Sequence, residues 1–480
     1  MSDKVSRSYT RRGLLAAALL PEVAASYPVL RPAADPVPAP GDKRIPFGWK
    51  GFRVAPGERA RLLAPASGLP AGPTRFRVAV AVDYRDEAVV RVRTGGGGAV
   101  LGRMDIRWAG AFQVFELVLS QRDTEIVASE GVELEQMAGV EPLYLFAPSE
   151  GLPAELHTHL MVPGRLAAAE EARRRLKSRA VLQQWSWKLG CVLDGLLELG
   201  EGEAAKRLIE MHFPDGRTLV YEDPRSVPVD GRIYGVEGVL CFGALARVAP
   251  EHPGVELAVE YGRKFRESGH YSTEGCYTVG YPLAVIAKQR KDLRLREAAL
   301  GVLRQRREVL AGKEVIWQRG QPGELFFPNW ARGLAWYLLG FAHSMRYLGV
   351  ESDILREFRR VARLSLELRL GNGLWPVFAD DPHTGVDTSG SAGIAAALAM
   401  GARAGWLGRE ALEAARLAKR GLDGYLTPDG FLTGQAQENK KGEELQRSGY
   451  RAMAQLGLGL WAQLEGALSR PARWSDSGGS

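Results

Sequence analysis

Carboxylates, arginine and large aromatics gather where the apolar stretches of this sequence begin. The groups are Trp185 and Trp187; Asp230, Tyr234 and Glu237; His270, Glu274 and Tyr277; Asn329, Trp330, Arg332 and Trp336; Asp387, Thr388 and Ser389; and Arg447, Ser448 and Tyr450. Neighbouring carboxylates can divide the work of a general acid and a general base. A guanidinium holds a carboxylate through two parallel hydrogen bonds, and an indole packs on the flat face of a sugar. These residue types together point to acid–base chemistry on an anionic sugar. Several also have plainer readings. Thr388 or Ser389 after Asp387 is what a helix cap requires. Glu237 and Glu274 would complement a helix dipole, and a lone His270 serves structure as readily as chemistry. Two tryptophans flanking Arg332 are not a capping need.

Bringing such groups around one hollow takes a ring of helices. From about 185 to 461, segments apolar on nearly every face alternate with segments striped by charge. A helix apolar all round must be buried, and one with a charged stripe faces water. The apolar segments begin near Trp185, Val236, Tyr277, Trp330, Thr388 and Tyr450. The striped ones run over 165–183, 203–212, 253–267, 293–310, 352–370 and 409–421. A spacing of roughly 40–60 residues fits one helical hairpin per unit. Six hairpins predict a mainly α fold, an (α/α)6 barrel or six-hairpin toroid over 164–470. Its inner helices run the same way, so their amino-terminal ends share one rim where an anion is favoured.

Ahead of the barrel the hydrophobic period falls to two. Phe76, Val78, Val80 and Val82 alternate with Arg75, Arg77, Ala79 and Ala81, and the pattern resumes at Phe112, Val114, Glu116 and Val118. This predicts an N-terminal β-sandwich domain over 46–149 that braces the barrel or shapes the substrate. A connector over 150–163 carries His157 and His159 toward the rim or packs them near it. The Pro/Ala-rich stretch 26–45 reads as a linker and 471–480 as a disordered tail. Lys4, Arg7, Arg11 and Arg12 precede the apolar stretch 13–20, and Ala24-Ala25 follows. Residues 1–25 thus resemble a twin-arginine export signal, implying a periplasmic or secreted protein; a basic tail on a cytoplasmic protein is the alternative.

A chain of 480 residues, 45% hydrophobic, has ample length for two domains. Its formal net charge of +7 is spread along amphipathic helices, which argues against a nucleic-acid stripe and favours an acidic ligand over a basic one. No apolar run is long enough to cross a bilayer. Cys191, Cys241 and Cys276 sit in apolar helical runs without metal spacing, and read as buried thiols. The oligomeric state is left open.

The segment Asn329-Trp330-Ala331-Arg332-Gly333-Leu334-Ala335-Trp336-Tyr337 resembles the WGRGNGW motif of unsaturated rhamnogalacturonyl hydrolases. With the unsaturated glucuronyl hydrolases, these form glycoside hydrolase families 105 and 88. Gly373-Leu374-Trp375, Asp380-Asp381-Pro382 and Asp387-Thr388-Ser389-Gly390-Ser391-Ala392 are similar to the families' GLW…DDP…ETSGSA block. The likeness runs over roughly 164–468. It implies an (α/α)6 barrel that hydrates the C4–C5 double bond of a terminal unsaturated uronate, with no metal and no cofactor. Its partner would be an acidic oligosaccharide, not a nucleic acid or a membrane. Glu274 stands where the families place their catalytic aspartate, and the second acid is Asp230 or Glu237. The substrate contacts implied are Trp330, Arg332, Trp336, Trp185, Trp187, His270, Tyr277, Trp375, Asp387, Thr388, Ser389 and Tyr450. Two departures matter: glutamate replaces the aspartate, and Leu334 replaces the motif's asparagine. An (α/α)6 glycoside hydrolase on intact uronides, using two of Asp230, Glu237, Glu274 and Asp387, is a second reading. A non-catalytic sugar-binding relative is a third.

Overall fold

The period-two stretches form antiparallel strands, and both of their faces are used. The structure, a computed structural model, describes residues 23–65, 72–220, 225–265 and 269–469. The export-signal stretch up to residue 22 and the tail 471–480 lie outside them. One sheet orders its strands Arg31–Pro32, Arg59–Leu63, Val132–Ala138, Glu87–Thr94 and Val100–Arg107. A second orders His159–Met161, Thr74–Ala79 and Val114–Leu119, and Gly51–Val54 pairs with Leu143–Phe146. Phe76, Val78 and Val80 point into the core shared by these sheets, with Ala88, Val90 and Val92. Ala79 and Ala81, one residue out of phase, pack instead on the core of the helical domain. A helix the alternation does not reveal, α1 (Gln121–Glu130), is capped by Ser120 and spans the gap before Val132. Residues 26–45 are not a loose linker. Leu30 is fully buried, Arg31–Pro32 pairs with 62–63, and the Val37 N–H donates to Gly51 at 2.8 Å.

The helical domain holds α2 (Ala168–Leu176), α3 (Trp187–Leu199), α4 (Gly202–Glu210), α5 (Leu240–Val248), α6 (Val255–Lys264), α7 (Tyr281–Arg290) and α8 (Leu293–Leu310). It continues with α9 (Ala331–Leu348), α10 (Ser352–Glu367), α11 (Thr388–Arg403), α12 (Arg409–Asp423), α13 (Glu443–Arg447) and α14 (Gln455–Ser469). The apolar helices α3, α5, α7, α9, α11 and α14 each touch the next, and α14 closes the ring on α3. The striped helices α2, α4, α6, α8, α10 and α12 pack outside them. On α10, for example, Ile354, Phe358, Val361 and Ala362 face inward at helical spacing, leaving the arginines outside. The last inner helix begins at Gln455, not Tyr450, because Ala452 and Met453 first bridge to Gln435 and Val114. No helix among the described residues is long and apolar enough to cross a membrane. All three cysteines are buried thiols.

Close approach of the parallel inner helices depends on glycine. A Cβ on Gly459 of α14 would meet the Cys191 carbonyl of α3 at 2.5 Å, and one on Gly195 would meet Gly459 at the same distance. Backbone on both sides leaves nothing soft to yield. Gly459→Ala is therefore expected to destabilise the protein by about 1–3 kcal/mol, read in urea denaturation, although alanine is the better helix former.

Polar groups mark the two ends of the ring. Inside the ring Asp194 accepts from Tyr277 at 2.6 Å and Tyr281 at 2.7 Å, and at the carboxyl-terminal ends Glu198 accepts from Arg346 at 2.8 Å. The opposite rim, where the inner helices begin, faces the sandwich. The two domains are joined by a buried ion cluster. Arg77 of the sandwich donates to Asp429 at 2.6 Å, Arg175 of α2 donates to the same oxygen, and Thr427 donates to the other at 2.7 Å. His159 packs beside it, edge-on to Tyr27, so it and His157 belong to the domain junction. Burial pushes His159 down to about 3, keeping it neutral.

Candidate active site

Two glutamates meet at the rim because two inner helices begin irregularly. Glu237 opens a 3-10 turn, Glu237–Val239, that leads into α5. Glu274 precedes a π-helical turn, Cys276–Gly280, that leads into α7; such turns recur at functional sites. The chain before Glu274 is held as a strand, Tyr271–Ser272, on the hairpin Trp317–Gln321 and Glu324–Pro328. Arg306 donates to the Ser272 carbonyl at 2.7 Å and fills the space where a residue-275 side chain would lie, so position 275 is glycine. Gln318 of the hairpin donates to Glu274 Oε1 at 3.3 Å.

Both carboxylates line a cavity of about 330 Å³ whose walls include Trp187, Trp330, Arg332 and Arg319. A second cavity of about 490 Å³, walled by His270, Tyr271 and Phe326, shares Glu237, Glu274, Arg319 and Asn439 with the first. The acids thus stand at the junction of one two-lobed cleft. Burial, then the Glu237 charge, push Glu274 up to about 8 against the pull of Arg332 and Arg319. A third carboxylate, Glu438, behaves oppositely. Lys188 at 2.6 Å and Lys440 hold it down at about 2 in spite of burial. Near neutral pH the cleft therefore offers one protonated carboxylic acid, Glu274, beside the ionised Glu438, as acid catalysis requires.

Arg332 is placed otherwise than its spacing implied. Its guanidinium stacks on Trp330 at 4.7 Å. It donates to Ser389 Oγ at 3.2 Å and to the carbonyls of Ala436 at 3.0 Å and Gln437 at 2.6 Å. Those bonds use both terminal nitrogens, so Arg332 fixes the loop that carries Glu438 and does not present an open fork. Asp387 helps: its Oδ1 accepts from the Ser389 N–H and the Ala436 N–H, both at 3.0 Å. Thr388 donates to the Thr433 carbonyl at 2.6 Å. Arg332→Ala should accordingly weaken binding of neutral and acidic sugars alike, by about tenfold or more as the loop loosens. Calorimetric titration with a uronate and its neutral counterpart checks this; loss confined to the uronate would restore Arg332 as the carboxylate clamp.

Other sequence-predicted residues separate. Trp187 and Trp330 reach the inner lobe and His270 the outer one. Asp230 does not reach the cleft. It is exposed and lies against Arg44 in a two-bond pair at 2.7 and 2.9 Å. Trp185 is buried among His212, Phe213 and Phe242. Trp336 and Tyr277 stack on each other beneath Trp187, inside the ring. Trp375 is buried and donates to the Ser365 carbonyl at 2.6 Å. Tyr450 turns to the sandwich, accepting from the Arg107 N–H at 3.2 Å. Cleft residues that spacing did not reveal are Gln318, Arg319, Glu438, Lys440 and Arg85. The charged run 438–441 ahead of the last inner helix was a visible signal for two of them; the hairpin and the sandwich loop carried none.

Residues 327–464 match the family model described as Glycosyl Hydrolase Family 88. That segment holds Trp330, Arg332, Asp387 and Glu438 but neither Glu237 nor Glu274. Among solved structures, the chain is similar to a possible member of the GH105 family from Salmonella enterica serovar Paratyphi A. Identity is 17%, 63% of this chain and 94% of that chain are covered, and the TM-score is 0.54. A family 105 glycoside hydrolase of C. acetobutylicum is 15% identical, with 63% and 98% covered and a TM-score of 0.53. A polysaccharide lyase is 17% identical, with 63% and 97% covered and a TM-score of 0.52. No curated protein matches the chain. The structural likenesses establish the (α/α)6 fold, which serves more than one reaction. The family match agrees with the resemblance carried by the Trp-x-Arg-Gly and Asp-Thr-Ser-Gly-Ser-Ala blocks.

Proposed function

We propose that this glycoside hydrolase hydrates the C4=C5 bond of an unsaturated uronate at the end of an acidic oligosaccharide. The observation that carries the reading is the pair Glu274 and Glu237 in one cleft, the first held protonated, with Arg319 and two tryptophans beside them. Glu274 gives its proton to C4 of the enol ether. Positive charge develops on C5 and the ring oxygen, where the nearby Glu237 carboxylate stabilises it. Water adds at C5 and returns one proton to Glu274. The resulting hemiketal opens to a C5 ketone, and the hemiacetal left at C1 releases the rest of the sugar. One water is consumed and the acid is regenerated. The Arg319 guanidinium stacks on Phe327 and makes no side-chain hydrogen bond among the described residues, so its fork is open to the ring carboxylate. Trp187 offers an indole surface to the sugar, and Trp330, covered by Arg332, backs the same wall.

The same two acids support a second reading, hydrolysis of an intact uronide by an acid and a carboxylate flanking the bond. The two are separated by incubating the protein with lyase-made unsaturated oligouronates and with intact ones. Loss of the ultraviolet absorbance of the double bond, without cleavage of intact chains, is the expected result. Cleavage of intact uronides alone would overturn it.

A further inference from the structure

The sandwich does more than brace the barrel at the rim. Its Gly110 comes so close to the Lys188–Glu438 pair that a Cβ there would lie 2.5 Å from Lys188 Nζ and 3.1 Å from Glu438 Oε1. Gln437 donates to the Arg107 carbonyl at 2.7 Å, and the Lys441 ammonium lies 5.3 Å from the centre of the Trp108 ring. The loop between strands 74–79 and 87–94 adds charge to the same place. Asp83, 2% exposed, accepts from Lys440, and its own N–H donates to Ser226 at 2.9 Å. Asp83 also accepts from Arg85 Nε at 2.5 Å, and this bond aims Arg85 into the wall of the inner lobe. The two terminal nitrogens of Arg85 make no hydrogen bond among the described residues, and its side chain is 40% exposed.

Among the described residues the cleft therefore holds two guanidinium groups whose terminal nitrogens are free, Arg319 at the acid pair and Arg85 in the tryptophan lobe. A ring reacting at Glu274 presents one carboxylate, which Arg319 can take. We propose that Arg85, supplied by the sandwich, binds a second acidic group of the substrate, a sulfate ester or another carboxylate within one sugar of the reacting ring. This rests on the acidic-oligosaccharide reading of the cleft but not on the hydration chemistry.

The test reads binding and not turnover, so a failed hydration assay leaves it intact. Quenching of tryptophan fluorescence is titrated on the full chain with three saturated disaccharides: a sulfated uronate–hexosamine, a diuronate, and a uronate joined to a neutral hexose. Arg85→Ala is expected to weaken one acidic probe by about 10- to 100-fold while leaving the neutral-hexose probe within about twofold. Arg85→Lys should recover part of the loss. The acidic probe that suffers more identifies the group as sulfate or carboxylate. Equal weakening of all three probes, or no weakening of either acidic one, would overturn the proposal.

Discussion

Glu274→Gln removes turnover, by about 10²–10⁴-fold, while the barrel stays folded. The amide matches the carboxylic acid in size and can still accept from Gln318, but it has no proton of suitable acidity to place on carbon. The pH profile carries the same signature. The acid must be protonated, so kcat/KM should fall as pH rises through about 8, where burial and the Glu237 charge have moved Glu274. Glu237→Gln removes that charge, so residual activity should show the alkaline fall at lower pH. Stability follows pH in the same sense as activity. A carboxyl raised above its ordinary 4.5 contributes stability that is complete below that value and lost as pH rises through about 8. The glutamine variant should thus resist urea better than the parent at pH 8.5 and equal it at pH 4. A variant as active as the parent would remove Glu274 from the chemistry.

The largest structural effect is expected at the domain junction. Arg77, Arg175 and Asp429 are all buried; Arg175 pairs with Asp429 alone among the described residues, while Arg77 also holds Glu116 at 2.9 Å. Asp429→Asn keeps the shape and leaves the buried Arg175 without a counter-charge, at a cost of about 3–5 kcal/mol. Urea denaturation followed by far-ultraviolet circular dichroism measures it. The two arginines hold Asp429 far below the ordinary carboxylate range despite burial. Its contribution is present above the ordinary 3.8 and lost only as pH falls through the depressed value. The gap between parent and variant should therefore stay constant from pH 8 to pH 5. A loss below about 1 kcal/mol would show that the arginines find water or other partners.

The helical ring was legible because burial leaves a periodic trace. The striped segment 293–310 agrees with α8 residue for residue, and 352–370 overshoots α10 by three, because charge periodicity tells which side of a helix is wet. Depth along the barrel axis leaves no such trace. Trp185, Trp187, Trp330 and Trp336 all sit near the start of an inner helix, yet only Trp187 and Trp330 face the cleft. Trp185 precedes the extended cap Ser186 and so falls among His212 and Phe213, while Trp187, the first residue of α3, reaches the opening. Asp230 and Glu237 were indistinguishable as acids ahead of α5. The glycine-containing turn between them carries Asp230 outward to Arg44 and leaves Glu237 inside. Arg332 was assigned from its neighbours in sequence, but the carbonyls that engage it come from residues 436 and 437, about a hundred positions away. Arg319 and Arg85 were hidden for the same reason. A hairpin and a sandwich loop enter the cleft only through tertiary packing, which local pattern does not encode.

The most direct measurement is the fate of the C4 hydrogen. Unsaturated disaccharide is incubated with the protein in heavy water, and the product is examined by mass spectrometry and proton NMR. Protonation at carbon by Glu274 puts one carbon-bound deuterium at C4, introduced stereospecifically and absent when Glu274→Gln is used. Released sugar without deuterium on carbon would contradict hydration of the double bond, and would leave the two carboxylates as agents of ordinary glycosidic cleavage.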